Sequence, residues 1–484
     1  MTRTLPSPVA AGGDERFGPR LWGLLLVLAG NMLIDALEVS VAVVALPAIG
    51  TDLGLPPTGT QWAMTGFAAG FGGLLLFGAR VVSLLGRRRV YLAALLAFAA
   101  ASVLSALAQD PALLLATRLV KGFCAALTAP TGLAIITGTF PDGRPRARAL
   151  SVYTLFGAGG FTAGLLLSGW LTETSWRWAF AFPAPVVLLL FVLGLRLIPG
   201  EEKRTAAARS YDIAGAVTFL GALLAMVQGI TRLPAHGWSD PRAVGPLSGA
   251  VLLLVLFWRV ERRAVDPLLR IGGSLRNGTL IRSALGAACL NGSYLGLLFV
   301  LTHQTQTLAG WSPLRAALAL VPAAAPPALT ALYSGRLVAR YGAPRLIVAG
   351  AACAFAGYLL QLRPHTWPFD YPTRVLPTLL LVGAAFVLSF AALNMQAMSR
   401  LRPADRVAGS GLYQTAVQLA AVVAIALVAA LLAAHVPGPG AGPAAAAAAC
   451  RPALTLVAVL GGLGLFVALT GLIRTTPSTL HDGE

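Results

Sequence analysis

The chain has 484 residues, of which 57% are hydrophobic and only 11% charged, with a formal net charge of +18. A soluble domain carries about 25% charged residues, so this composition excludes an ordinary water-soluble fold and makes lipid the solvent. The excess base falls in short connectors between apolar runs, not on a contiguous basic face with interleaved aromatics, which argues against nucleic acid as a partner.

In chain order, residues 1–20 read as a cytoplasmic tail of little order. Six apolar runs follow at 21–48, 60–80, 88–108, 112–134, 148–171 and 178–198. Two more, at 212–231 and 243–260, lie within the segment 199–271. The last six are 279–302, 314–334, 346–362, 375–397, 408–434 and 453–473, within 272–474, and residues 475–484 close the chain as a second cytoplasmic tail. Each run suits a helix crossing a bilayer, which takes about 20 residues. The first run is longer than a signal-peptide core and no clear A-x-A site follows it, so it reads as a retained span. The connector His435–Cys450, with its Gly-Pro and Ala repeats, reads as a flexible loop.

The connectors alternate in charge. Base concentrates at Arg87–Arg89, Arg144/Arg146/Arg148, Lys203/Arg204/Arg209, Arg259/Arg262/Arg263/Arg270/Arg276, Arg336/Arg340/Arg345, Arg400/Arg402/Arg406 and Arg474. The intervening connectors 49–59, 109–111, 172–177, 303–313 and 435–452 are nearly free of it. The positive-inside rule places the Arg-rich set and both termini in the cytoplasm. The chain also repeats itself: Gly78–Val90 (GARVVSLLGRRRV) follows the second run and Ser334–Leu346 (SGRLVARYGAPRL) follows the tenth. Two related six-span halves around a midplane site are the usual design of secondary transporters.

Charge inside the runs is rare. Asp35 and Glu38 lie one helical turn apart in the first run, and Arg118 and Lys121 lie one turn apart in the fourth. A charge at the centre of a span costs roughly 2.5–3.5 kcal/mol, so these four must be paired or used. In the second half, Asn291, Tyr294, Asn394, Gln396, Tyr413, Gln414 and Gln418 are polar groups within spans. Such groups usually face the bundle interior, and together they outline a path for a bulky apolar ligand. Gly157, Gly160, Gly164 and Ser168 make a small-residue stripe that admits a neighbouring helix closely. His303 falls at a span end and reads as interfacial. The four cysteines have no CxxC spacing or metal-ligand partners. No GxxxxGK[ST] sequence occurs, and no nucleophile–base–orienter set appears, so neither cofactor nor enzyme chemistry is expected.

Several of these segments resemble the major facilitator superfamily, specifically its fourteen-span drug:proton antiporters. Leu37–Ile49 (LEVSVAVVALPAI) resembles that group's first-span motif, with Glu38 at its Asp, Ser40 at its Thr and Val43 in place of its Asn. Gln61–Arg80 resembles the second span, and Arg118–Pro130 (RLVKGFCAALTAP) the fourth-span motif, with Lys121 in place of its usual Gln. Gly157–Leu171, followed by Ser175–Phe180, resembles the fifth-span antiporter motif, with Leu165 where the family has Pro. Tyr211–Leu224 and Val260–Leu269 resemble the inserted pair of spans. The loop motif's Asp is replaced by Ser83 in the first copy and Ala339 in the second.

The resemblance implies an all-α membrane protein with two six-helix bundles, 21–198 and 272–474, and two inserted helices. It implies Gly86, Arg87 and Arg88 as a gating loop and Gly157, Gly160 and Gly164 as a hinge. It also makes spans one and four neighbours. They run antiparallel, with each pair of charges about 4.5 Å apart along its axis, so the natural ladder joins Glu38 to Arg118 and Asp35 to Lys121. The expected function is proton-coupled efflux of a small lipophilic compound, a drug or antibiotic, by a monomer in the bacterial cytoplasmic membrane. Glu38 is then the expected proton carrier, with Asp35 the second candidate, and the cargo would compete for that site. Alternatives are a metabolite carrier with altered coupling, or a non-transporting membrane sensor.

Overall fold

The computed structural model describes residues 17–200, 211–264, 277–363, 369–402, 405–436 and 442–473, and among these every regular element is helical. Fourteen helices are long and apolar enough to cross a membrane. The first six are Pro19–Leu53, Pro57–Leu85, Arg87–Ala106, Pro111–Thr139, Arg144–Thr172 and Trp176–Leu197. Ile213–His236 and Pro241–Arg263 follow. The last six are Gly278–Leu308, Pro313–Tyr341, Ala343–Gln361, Tyr371–Ser399, Arg406–Ala434 and Pro443–Leu472. The basic stretches at 201–210, 265–276 and 474 lie outside the described residues.

Several spans outrun their apolar cores. The first continues through Pro47 to Leu53 and stops at Gly54, whose φ of 61° is left-handed. The ninth continues through a π turn, His303–Leu308, where a connector was expected. Much of the expected flexible loop is also ordered: Pro443–Ala449 is a helix leading into the fourteenth span, and Ala447 and Cys450 are buried. Proline at the first helical position and a run of alanine, the best helix former, explain this; residues 437–441 lie outside the described set. At the start of the chain, Phe17 is not part of a loose tail. Its ring meets those of Trp22 and Phe140 at 5.3 and 5.2 Å, with the Arg148 guanidinium 5.7 Å above it. Residues 1–16 lie outside the description.

The internal repeat is visible in the backbone. Gly86 ends the second span at φ 92°, ψ 147°, and Gly342 ends the tenth at φ 80°, ψ 140°. A residue with a Cβ is disfavoured at such angles, so glycine lets each chain turn sharply into the next span.

Within the first six spans, one packs on five, two on four, and three on four and six. In the last six, nine packs on thirteen and fourteen, and eleven on twelve and fourteen. The two groups meet along two seams, span two on thirteen and span five on ten. The repeat equates two with ten and five with thirteen, so these seams are counterparts. Spans seven and eight form a hairpin, and seven lies across the seam of two and thirteen. Its contact is apolar: Leu223 and Val227 meet Ala68 and Ala69 of span two and Val422 and Ala426 of span thirteen.

Alternation of fourteen spans puts the Arg-rich connectors on one face, here the basic face, and the others on the opposite, neutral face. At the neutral face hydrogen bonds join the two groups of spans. The Leu314 N–H of span ten donates to Glu173 Oε1 at the end of span five, at 2.9 Å. Gln306 Nε2 of span nine donates to the Val44 carbonyl of span one at 3.0 Å. Nearer mid-depth, Thr162 Oγ1 donates to the Ala324 carbonyl at 2.9 Å.

Candidate functional site

Three of the four intramembrane charges come together, and not as the expected ladder. Arg118 pairs with Glu38 Oε2, and Lys121 pairs with Glu38 Oε1, all three side chains being fully buried. Arg118 also donates from Nε to the Ala63 carbonyl at 2.6 Å and from Nη2 to the Glu38 carbonyl at 3.0 Å. Its guanidinium lies 4.9 Å from the Phe67 ring and 5.5 Å from that of Phe180. The Lys121 ammonium lies 5.0 Å from the Phe98 ring and 5.6 Å from that of Phe180. Aromatic faces attract cations most when water is excluded. Asp35 lies level with Thr128, two turns beyond Lys121 on span four, so the rung between Asp35 and Lys121 does not form.

Asp35 has neutral partners instead. Its Oδ2 accepts from Asn31 Nδ2 and from Thr128 Oγ1, both at 2.9 Å. Its Oδ1 is buried and accepts nothing. The Tyr91 hydroxyl is buried and also unpartnered. The two acids thus differ in kind: Glu38 is gripped by two cations, whereas Asp35 meets an amide and a hydroxyl.

The cluster sits inside the first bundle, walled by Phe67, Phe98 and Phe180 of spans two, three and six. Lys121 is sealed there and does not face the space between the bundles. The opposite face of span one is packed on span five by the small-residue stripe. A Cβ on Gly160 would lie 2.4 Å from the Leu33 carbonyl, and one on Gly164 only 2.2 Å from Ser40 Oγ. Ser168 Oγ donates to the Val41 carbonyl at 2.7 Å. Leu165, where the family has proline, is fully buried within an unbroken helix.

At the basic face, Arg87 Nη1 donates to the Ala134 carbonyl at 3.5 Å and Arg88 Nη2 to the Leu195 carbonyl at 2.7 Å. The expected gating loop is thus the first turn of span three, and these bonds tie it to spans four and six. Ser83 bonds back to the Arg80 carbonyl at 2.9 Å, within its own helix.

The polar residues of the second half divide. Tyr294 faces the space between the bundles, its ring 5.6 Å from Phe161 of span five and 4.5 Å from Phe386 of span twelve. Asn394 lies on the helical stripe of Phe386 and Phe390, four residues apart each time. Gln418 packs its Cβ against Gly72 at the seam of two and thirteen, and Gln414, one turn earlier, is half-buried. Asn291 Nδ2 donates to the Val417 carbonyl at 3.1 Å, a bond between spans nine and thirteen. Tyr413 is fully buried in the core of the second bundle. Gln396 turns away, lining a small cleft with Arg282, Pro344 and Val467 and accepting from Ser283 Oγ at 3.3 Å. Phe161, Phe386 and Phe390 did not stand out in the sequence, because phenylalanine is ordinary in a span. The signal was the spacing of Phe386, Phe390 and Asn394 on one helical stripe.

The family model described as Major Facilitator Superfamily matches residues 28–425. The chain is 36% identical over 427 residues to the puromycin resistance protein pur8 of Streptomyces alboniger, covering 87% of this chain and 82% of that one. It is 32% identical to the cephamycin export protein CmcT of Amycolatopsis lactamdurans, covering 83% of each. It is 31% identical to the lincomycin resistance protein of Streptomyces lincolnensis, covering 84% and 83%. Among solved structures, a peptide transporter POT in complex with sulfate superposes with a TM-score of 0.66 at 15% identity, covering 96% of each chain, a likeness of fold. With its fourteen apolar helices and these relatives, the chain is a multi-pass protein of a bacterial inner membrane and belongs to the major facilitator superfamily of transporters.

Proposed function

We propose that this protein exports a small lipophilic compound of the antibiotic type in exchange for protons, by alternating access, as a single chain with both termini in the cytoplasm. Relatives named for antibiotic resistance and export support the direction and the class of cargo. The hydrogen bonds that join the bundles at the neutral face and the basic connectors support a cleft that faces the cytoplasm.

One observation carries the coupling: a carboxyl group inside the first bundle with no cation beside it. A buried charge is costly unless it is paired. Glu38, held by Arg118 and Lys121, is the anchor of the cluster. Asp35 is the exchanging group, since a proton on Oδ1 removes a charge that no cation offsets and leaves both hydrogen bonds to Oδ2 in place. This reverses the order expected from the motif alone. Coupling then runs through span one, whose other face is locked to span five, so the cargo need not touch either acid.

The test is proton release from acid-loaded inverted vesicles while lipophilic cations, anions and neutral antibiotics are added in turn. Asp35→Asn is expected to abolish compound-dependent release while the protein stays folded. Release that persists unchanged in Asp35→Asn removes that residue from the mechanism; transport without any proton signal removes antiport itself.

A further inference from the structure

Four rings form a continuous aromatic run between the bundles. Phe161 meets Tyr294 at 5.6 Å, Tyr294 meets Phe386 at 4.5 Å, and Phe386 stacks on Phe390 at 5.8 Å with 25° between planes. They come from spans five, nine and twelve. Span twelve runs from the neutral to the basic face, so the run descends from mid-depth toward the basic side. Exposure rises along it: Tyr294 is 5% exposed and Phe390 37%. Asn394 continues the stripe.

The spans that supply these rings carry no charge beside them. Spans five, nine and twelve carry theirs only near their ends: Arg144, Arg146 and Arg148; Arg282; and Arg374. The mid-depth charges Asp35, Glu38, Arg118 and Lys121 are no more than 5% exposed and are sealed in the first bundle. An anion among these rings would lose its hydration without meeting a cation, and a cation would find ring faces but no carboxylate to offset the loss. Stacking faces, a phenol hydroxyl and the Asn394 amide are what this surface offers.

We infer that Phe161, Tyr294, Phe386 and Phe390 form the cargo-binding surface and that it selects an uncharged, flat, polycyclic aromatic compound. The inference rests on the exporter reading and adds the charge and shape of the cargo. It requires the cargo to enter the cleft without pairing to Glu38 or Asp35.

The test is equilibrium binding to the purified protein in lipid nanodiscs, which reads the surface without requiring transport. Three probes share one ring system: pyrenemethanol, pyrenemethylamine and pyrenebutyrate, neutral, cationic and anionic. Pyrenemethanol is expected to bind, with the charged probes at least about tenfold weaker. Phe386→Ala is expected to weaken pyrenemethanol about tenfold, in keeping with the loss of one well-packed ring pair and its contact area. Phe390→Leu, at a partly exposed position where folding is spared, is expected to weaken it severalfold. Equal or tighter binding of either charged probe overturns the inference. So does an unchanged affinity in both variants, or no binding of pyrenemethanol at all. If pyrenemethanol binds as expected while vesicles show no compound-driven proton release, the surface stands and the coupling fails.

Discussion

Lys121 pairs with Glu38, whereas Asp35, on the same face of span one, bonds Asn31 and Thr128. A single carboxylate therefore balances two buried cations, and its loss should be far costlier than the loss of its neighbour. Breaking a buried pair by removing one partner costs about 3–5 kcal/mol. Glu38→Gln is expected to unfold at a clearly lower temperature than Asp35→Asn in the same detergent. Adding Lys121→Met to Glu38→Gln should recover part of the loss, because one orphaned cation is gone. Equal melting temperatures for the two single variants would contradict the anchoring role of Glu38.

The contact of span one with span five leaves no room for a methyl group. Gly164→Ala places a Cβ 2.2 Å from Ser40 Oγ and 2.7 Å from the Leu37 carbonyl. Overpacking of this kind costs about 1–3 kcal/mol. Reduced folded yield and at least a severalfold drop in transport are expected. Gly159→Ala, with nothing within 4 Å of the new Cβ, is the matched control and should behave as the parent.

Glu173 links the two bundles at the neutral face by accepting from the Leu314 N–H. Removing that acceptor should shift the molecule toward opening there. In a protein lacking its four native cysteines, Ala317→Cys is buried against Gly169 and should resist a membrane-impermeant maleimide in intact cells. With Glu173→Ala added, labelling should rise severalfold. Unchanged labelling would mean that apolar packing alone holds the seam shut.

Orientation can be read in the same way. Thr51→Cys, exposed at the neutral face, should react with impermeant reagent in intact cells, whereas Asp142→Cys, exposed at the basic face, should react only after permeabilisation. The reverse pattern would turn the whole molecule over.

Much of this architecture was legible in the sequence because hydropathy and connector charge are local signals. The fourteen runs and the two Gly-Arg loops could be found without knowing any contact. Span ends were less legible: Pro47, the turn at His303–Leu308 and the alanines before Cys450 extend helices past the apolar cores. At the site, the four charges could be named and the pairing of Glu38 with Arg118 foreseen. That of Lys121 could not, because helical rise sets the spacing along one span and not the register between two. Nor could the rings, since the meeting of Phe161 with Tyr294 and Phe386 depends on how two bundles sit together.

The hairpin of spans seven and eight breaks the symmetry of the design. Two seams related by the repeat would otherwise present the same flank to the surrounding lipid. Leu223 and Val227 shutter the flank of spans two and thirteen, whereas the hairpin does not pack on spans five and ten. Span ten, beside the unshuttered flank, carries Pro322, Pro326 and Pro327 and tightens into a 3-10 turn at Ala331–Tyr333. Each interior proline deletes a backbone hydrogen bond and loosens the helix. The two flanks that the repeat would make alike thus differ in build: one is braced by an apolar hairpin, the other is bordered by a helix with interrupted backbone bonding.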